Sequence, residues 1–292
     1  MSQALPLLPA AQLAPLLAAY ARSRRAVFWR GLLVAACLVA GSLASGWMAE
    51  VDLGKFGKHI GGFFSYFDRL TRLEGGGGRV WTDPGEWFWG LRPWLVQLGD
   101  TVLMAYAGTL FGALGGFCLA VLGAANLVQN QPLRWGAKRL AEFCRTVPDL
   151  VFALLFVIAF GLGPLPGVMA LAIHSLGALG KQNSELVENI DMKPVEGAIA
   201  AGASWVAMVR FAVLPQILPG FLSYSLLRFE INVRGAAVLG FVGAGGIGQD
   251  LIEAVRKFYY NDVAALLVLI ILTVVVIDTL TGLLRRRLLE AR

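Results

Sequence analysis

Apolar residues run in long blocks separated by short basic stretches, and over most of the chain they show no polar face. A helix rises about 1.5 Å per residue, so a hydrocarbon core of about 30 Å takes roughly twenty residues to cross. Six segments approach that length: Phe28 to Trp47, Trp94 to Leu122, Phe143 to Leu162, Pro164 to Leu179, Leu214 to Phe229 and Val263 to Leu284. The fourth and fifth are short and punctuated by Gly and Pro, which predicts tilted or broken helices enclosed by others. Between the first two segments, Phe56, Ile60, Phe63, Phe64 and Phe67 recur at near-helical spacing among charges. That pattern predicts an amphipathic helix lying at the membrane interface, ended by the run Gly75 to Gly78. The predicted fold is all-α: a polytopic integral membrane protein with about six transmembrane helices. Residues 1–92 form an anchor helix and an extracytoplasmic interfacial segment, and residues 93–292 form a compact core.

Composition agrees with a bilayer as solvent. Of 292 residues, 57% are hydrophobic and 15% charged, against about a quarter charged in soluble domains. The net charge of +6 sits at the edges of the apolar blocks and forms no single patch, which argues against nucleic acid. Arg22, Arg24, Arg25 and Arg30 flank a first block that is long and late for a signal core, so it reads as an uncleaved anchor. With six spans both termini share a side. Arg134, Lys138, Arg139, Arg145, Lys181, Lys193, Arg210 and Arg285 to Arg287 fall on that side too, which makes it the cytoplasm. The opposite stretch, Met48 to Pro93, balances its six basic residues with acidic ones. Cys37, Cys118 and Cys144 occur singly, without ligand spacing, and read as packing residues; no metal site or catalytic residue is expected.

One segment between the fourth and fifth blocks differs from the rest. From Glu196 to Pro215 it predicts a first short helix starting at Pro194 and ending near Gly202, and a second from Ser204 toward Leu214. Ala198, Ala201 and Gly202 form a small-residue face that admits close approach. Glu196, Gly202 six positions later, and Leu214-Pro215 twelve and thirteen positions after that resemble the EAA loop of bacterial ABC importer permeases. Gly197 and Ala212 depart from the usual residues of that pattern without changing its spacing. The resemblance implies a type I importer core whose coupling loop, about 185–215, docks on a cytoplasmic ATPase. Glu196, Ala198, Gly202, Leu214 and Pro215 are its matching positions.

Longer strings resemble phosphonate transport permeases, including those for phosphite or hypophosphite. They are Arg145-Thr-Val-Pro-Asp149, Arg228-Phe-Glu-Ile-Asn-Val-Arg234, and the stretch ending Gly243-Ala-Gly-Gly-Ile-Gly248, within a match from roughly Gly99 to Leu284. The resemblance implies a homodimer, two ATPase subunits that hold the ATP and Mg, a periplasmic binding protein, and residence in the inner membrane.

Gly243 to Gly248 also fits the dinucleotide fingerprint, but membrane blocks flank it where a βαβ unit is required. It reads either as a tight turn on the translocation path, through Gly243, Gly245, Gly246 and Gly248, or as ordinary helix packing. Ser175 to Gln182 fails the phosphate-loop pattern at its first and last positions, so ATP hydrolysis belongs to a partner. Intramembrane polar groups are candidates for function: Arg228, Glu230, Asn232, Arg234, His174 and Asp278. Arg228, Asn232 and Arg234 suit an anion path, while Arg228 and Glu230 could instead clamp each other or Asp278. Asp149 reads as a helix cap. A carrier driven by an ion gradient, relaying protons through Asp278, Glu230 and His174, is the alternative; it leaves the EAA-like loop unexplained.

Overall fold

The structure, a computed structural model, describes residues 10–50, 52–73 and 78–290. Of the Gly75 to Gly78 run only Gly78 is among them. The chain divides into two compact units, Met1–Ser65 and Tyr66–Arg292. In the first, α1 (Ala10–Met48) is followed by α2 (Leu53–Leu70), whose end passes into the second. α2 carries the phenylalanines expected of it on one face.

The second unit holds the remaining helices. After α3 (Pro84–Trp87) come α4 (Leu91–Gly123), α5 (Gln131–Thr146), α6 (Asp149–Phe160) and α7 (Pro164–Glu188). Then follow α8 (Lys193–Ala200), α9 (Trp205–Met208), a π turn (Val209–Val213), α10 (Leu214–Leu239), a 3-10 turn (Gly240–Val242), α11 (Ile247–Arg256) and α12 (Tyr260–Glu290). No strand occurs among the described residues, only an isolated bridge between Arg72 and Arg79.

Four helical stretches are long and apolar enough to cross a membrane: Arg22–Met48, Leu91–Gly123, Trp205–Val242 and Tyr260–Leu288. The pair α5 and α6, bent by 85°, makes a fifth if it is one span. The expected count of about six is therefore four or five among the described residues, and two segments account for the difference. Phe143 to Leu162 is not one helix: Pro148 lacks an N–H and disfavours helical backbone at Val147, so the chain turns there. Pro164 to Leu179 does lie in a helix, α7, but that helix continues through polar residues to Glu188 and is enclosed by its neighbours.

α7 is the central element. Gly108, Gly112 and Gly116 of α4 lie one turn apart and face Leu171, Ser175 and Leu179 of α7. A Cβ at Gly108 would stand 2.6 Å from the Leu171 Cβ, so the two backbones approach as closely as small residues permit. Gly177 meets α5 in the same way, 2.6 Å from the Ala141 carbonyl oxygen. In water such helices would be held by apolar burial; in lipid, where tails are as apolar as leucine, this close packing carries the association.

Near the start of α12 aromatic groups collect, as they do at membrane interfaces. Trp89 Nε1 donates to Asp262 at 2.9 Å, Trp87 Nε1 donates to the Asn261 carbonyl at 3.3 Å, and Tyr66 packs edge-on to Tyr260.

Candidate functional site

The expected helix break falls where the sequence places it. α8 starts with Pro194 in its first turn and ends at Ala200, and Gly202 takes φ 78°, a left-handed value that costs a residue with a Cβ about 1–2 kcal/mol. Ser204 caps α9, its Oγ accepting from the Ala207 N–H at 3.3 Å. α9 runs through the π turn into α10 without a loop. The π turn has a local cause: Pro215 has no N–H to offer the preceding turn and its ring crowds it, so the helix widens and the Leu214 N–H bonds to the Val209 carbonyl.

One face of this segment is buried. Val195, Met208, Val213 and Ile217 pack with Val121 of α4, Ala124 just after it and Val187 of α7, joined by Ala198 and Leu214 at its edge. The other face is open: Glu196, Gly202, Pro215 and Ile199 are exposed, and Gly197 and Gly202 have nothing within 4 Å of a would-be Cβ. Two clamps hold the segment to the bundle. Gln216 Nε2 donates to the Asp191 carbonyl at 3.1 Å while its Oε1 accepts from the Asp191 N–H at 3.0 Å. Glu188 accepts from Lys138 Nζ and from the Ala125 N–H, both at 2.9 Å. Burial pushes the Glu188 carboxyl up, but Lys138 and the Ala125 N–H outweigh it and hold the carboxyl below the ordinary range.

At roughly 1.5 Å per residue, the 26 residues of α10 span about 39 Å, more than a hydrocarbon core. Its far end is the glycine turn. Gly243, Gly245 and Gly246 all have positive φ, the Gly163 N–H donates to the Gly243 carbonyl at 3.0 Å, and Thr101 Oγ1 accepts from the Ile247 N–H at 2.9 Å. Gly248 lies against Gly240, and a Cβ on it would overlap the Ala237 carbonyl oxygen. The stretch both reverses the chain direction and packs closely. Beside it Leu162, Gly243, Asp250, Glu253, Arg256 and Lys257 line a cleft of about 640 Å³. Burial, then the Glu253 charge, raises the Asp250 carboxyl, whereas hydrogen bonding to Lys257 lowers Glu253.

Between the two ends lie the polar groups at membrane depth, in two sets on opposite faces of α10. Residues 228 and 230 point apart on a helix, so Arg228 does not pair with Glu230 or Asp278, as one sequence reading allowed. Arg234 does: its guanidinium reaches Glu230 Oε1 at 3.2 Å and Asp278 Oδ2 at 3.3 Å, tying α10 to α12, with Thr281 alongside. Arg228 instead turns toward α7, where Nε donates to Ser175 Oγ at 3.1 Å and Nη2 to His174 Nδ1. His174 Nε2 then carries the proton and donates to the Arg145 carbonyl at 3.1 Å. Asn232 donates to both Thr109 and Ser175 at 2.8 Å. Asp149 is not the N-cap of α6; that position is Pro148, and Asp149 is the first helical residue, its Oδ1 accepting from the Leu150 N–H.

The sequence reading missed Thr109, Ser175, Thr281 and Gln216. Lone hydroxyls and amides in apolar helices are common; Thr281 stands one helical turn from Asp278 and Arg285, and no charge at that spacing marks the other three.

Residues 116–290 match the family described as binding-protein-dependent transport system inner membrane component. The phosphite transport system permease protein PtxC of Stutzerimonas stutzeri is 42% identical over 200 residues, 68% of this chain and 72% of that protein. The phosphate-import permease protein PhnE of Mycolicibacterium smegmatis is 39% identical over 191 residues, 65% of this chain but 36% of that longer protein. An inward-facing structure of the MetNI methionine ABC transporter superposes with a TM-score of 0.58 at 22% identity, covering 67% of this chain and 95% of that one. That likeness concerns the fold, and it agrees with the arrangement of α4 to α12. The match covers the α8–α10 loop, the polar sets apart from Thr109 and the glycine turn, and it sets the ion-gradient carrier aside: the chain belongs to the binding-protein-dependent transport system inner membrane components, the permease subunits of ABC importers.

Proposed function

We propose that this chain carries phosphonate or a related phosphorus oxyanion, such as phosphite or hypophosphite, inward across the cytoplasmic membrane. The single observation behind the substrate class is the 42% identity to a phosphite permease over 72% of its length. The chain works as a homodimer on two cytoplasmic ABC ATPases, which hold ATP and Mg, and receives its substrate from a periplasmic binding protein. Both termini face the cytoplasm. Residues 1–92 act as anchor and interfacial belt and residues 93–292 as the transport core.

The mechanism follows from a rigid rod with two different ends. The ATPases grip the exposed face of α8 around Glu196, Ala198 and Gly202. Their closure moves α8 and, through the buried cluster that includes Val213 and Ile217, the N-terminal end of α10 at Leu214 and Pro215. The displacement reaches the glycine turn from Gly243 to Gly248 at the other end, switching the pair from inward-open to outward-open. ATP hydrolysis resets it. Asn232 and Arg234 lie along α10 between these ends. The binding protein selects the ligand, so the permease needs only a weak site from which an ion can leave.

The test is ATP hydrolysis by this chain with its partner ATPase in lipid nanodiscs, using binding protein loaded with methylphosphonate, phosphite, hypophosphite or phosphate. Stimulation by one of the first three supports the reading. Stimulation by phosphate alone, or by none of the four, contradicts it.

A further inference from the structure

Resting on that reading, the geometry points to a transient oxyanion site centred on Arg228, midway through the membrane. Arg228 lies 14 residues into α10 and 11 from its end, so about 21 Å of helix separates it from the coupling loop and about 16 Å from the glycine turn. It is 9% exposed. A guanidinium at that depth is expensive unless a negative charge answers it, and its cost is normally met by a paired carboxylate.

Arg228 has no such pair among the described residues. Its two hydrogen-bond partners, Ser175 Oγ and His174 Nδ1, are neutral acceptors, and its remaining terminal nitrogen, Nη1, has no hydrogen-bond partner among the described residues. The carboxylate that acts on it is Asp149, through space and outside ion-pair distance, where it also acts on His174. The contrast with Arg234 is direct, since that guanidinium is more exposed yet held by two carboxylates. On one side of Arg228, His174 and Asp149 are only half-buried.

The chemistry fits a tetrahedral phosphorus oxyanion. A planar guanidinium with a free edge offers two parallel N–H donors to two oxygens of such an ion. Asp149 repels the same ion, and the neutral acceptors add no second cation. Retention is therefore weak, which suits a station on a path and not a storage site. Ser175 and His174 hold the guanidinium plane in place.

The experiment uses the complete transporter in proteoliposomes, with binding protein and radiolabelled phosphite, and reads uptake per ATP hydrolysed. Arg228→Gln lowers that ratio by about tenfold or more, the loss expected for charge-assisted bonds, and Arg228→Lys recovers part of it. A clamp serving only structure lowers uptake and hydrolysis together; an unchanged ratio in Arg228→Gln therefore overturns the site. If Arg228→Gln does not assemble, Arg228→Lys decides: a ratio below wild type supports the site and a wild-type ratio overturns it. Failure of the substrate reading looks different, because wild-type liposomes then take up none of phosphite, hypophosphite and methylphosphonate while the chain still assembles with its ATPase.

Discussion

The two ends of α10 use glycine in opposite ways. At the α8 end, Gly197 and Gly202 face open space, and the apolar side chains beside them, such as Ile199 and Val206, are exposed. At the α11 end, Gly240 and Gly248 touch backbone to backbone, and Gly246 admits nothing larger than a hydrogen beside Thr101. The first end is an unfilled surface that another molecule can cover. The second is already filled by the chain itself. In the mechanism we propose, a rod that is loose where it is pushed and tight where it turns transmits displacement, because packed interfaces shift between discrete arrangements more readily than they deform.

The largest effect is expected at the tight end. Gly248→Ala drives a methyl into the Ala237 carbonyl and costs about 3 kcal/mol or more, read as a large fall in melting temperature of the detergent-solubilised protein. Survival of Gly248→Ala with little change would remove the claim of tight packing. At the loose end the same kind of enlargement meets no clash and carries only the cost of the left-handed φ at Gly202, about 1–2 kcal/mol, so it impairs function more than folding. Gly202→Phe reaches the membrane at wild-type level and lowers uptake by about tenfold or more, within the usual range of coupling energies. Unaltered uptake in Gly202→Phe removes the loop from the coupling route.

Smaller changes sharpen the picture along the rod. Asp278→Asn leaves Arg234 with Glu230 alone and costs about 1 kcal/mol, in line with interhelical polar contacts in membranes. Thermal unfolding beside a Glu230→Gln variant measures it. The smallest effect lies in the outer cleft. Asp250 is raised by burial and by Glu253, so the folded protein disfavours its ionised form. The penalty is absent below the ordinary carboxylate range and grows as pH rises through it. Asp250→Asn should therefore raise the melting temperature slightly at about pH 7 and not at about pH 2.5. A gain of equal size at both values assigns the effect to something other than charge.

Most of the scaffold and the loop could be read from the sequence. Apolar block length gave α1, α4 and α12, and Pro194, Gly202 and Ser204 marked the breaks between α8 and α9 because each residue acts on its own backbone. What the sequence hid depends on partners distant in the chain. α7 reads as a short span because its polar residues, Ser175, Asn183 and Ser184 among them, are buried against other helices and not in lipid. The bend at Pro148 was visible as a proline, but proline also occurs inside α10 at Pro219, where the helix continues. The choice between Arg228 and Arg234 as the clamp turned on which face of α10 meets α12, and only the packed bundle fixes that.

The most direct test of the central claim places a photo-crosslinking amino acid at Ile199, on the open face of α8, or at Val255, on α11 beyond the tight end. In membranes holding the complete transporter, the account predicts a covalent product with the ATPase subunit from position 199 and none from position 255. An ATPase adduct from position 255, or none from position 199, would contradict it.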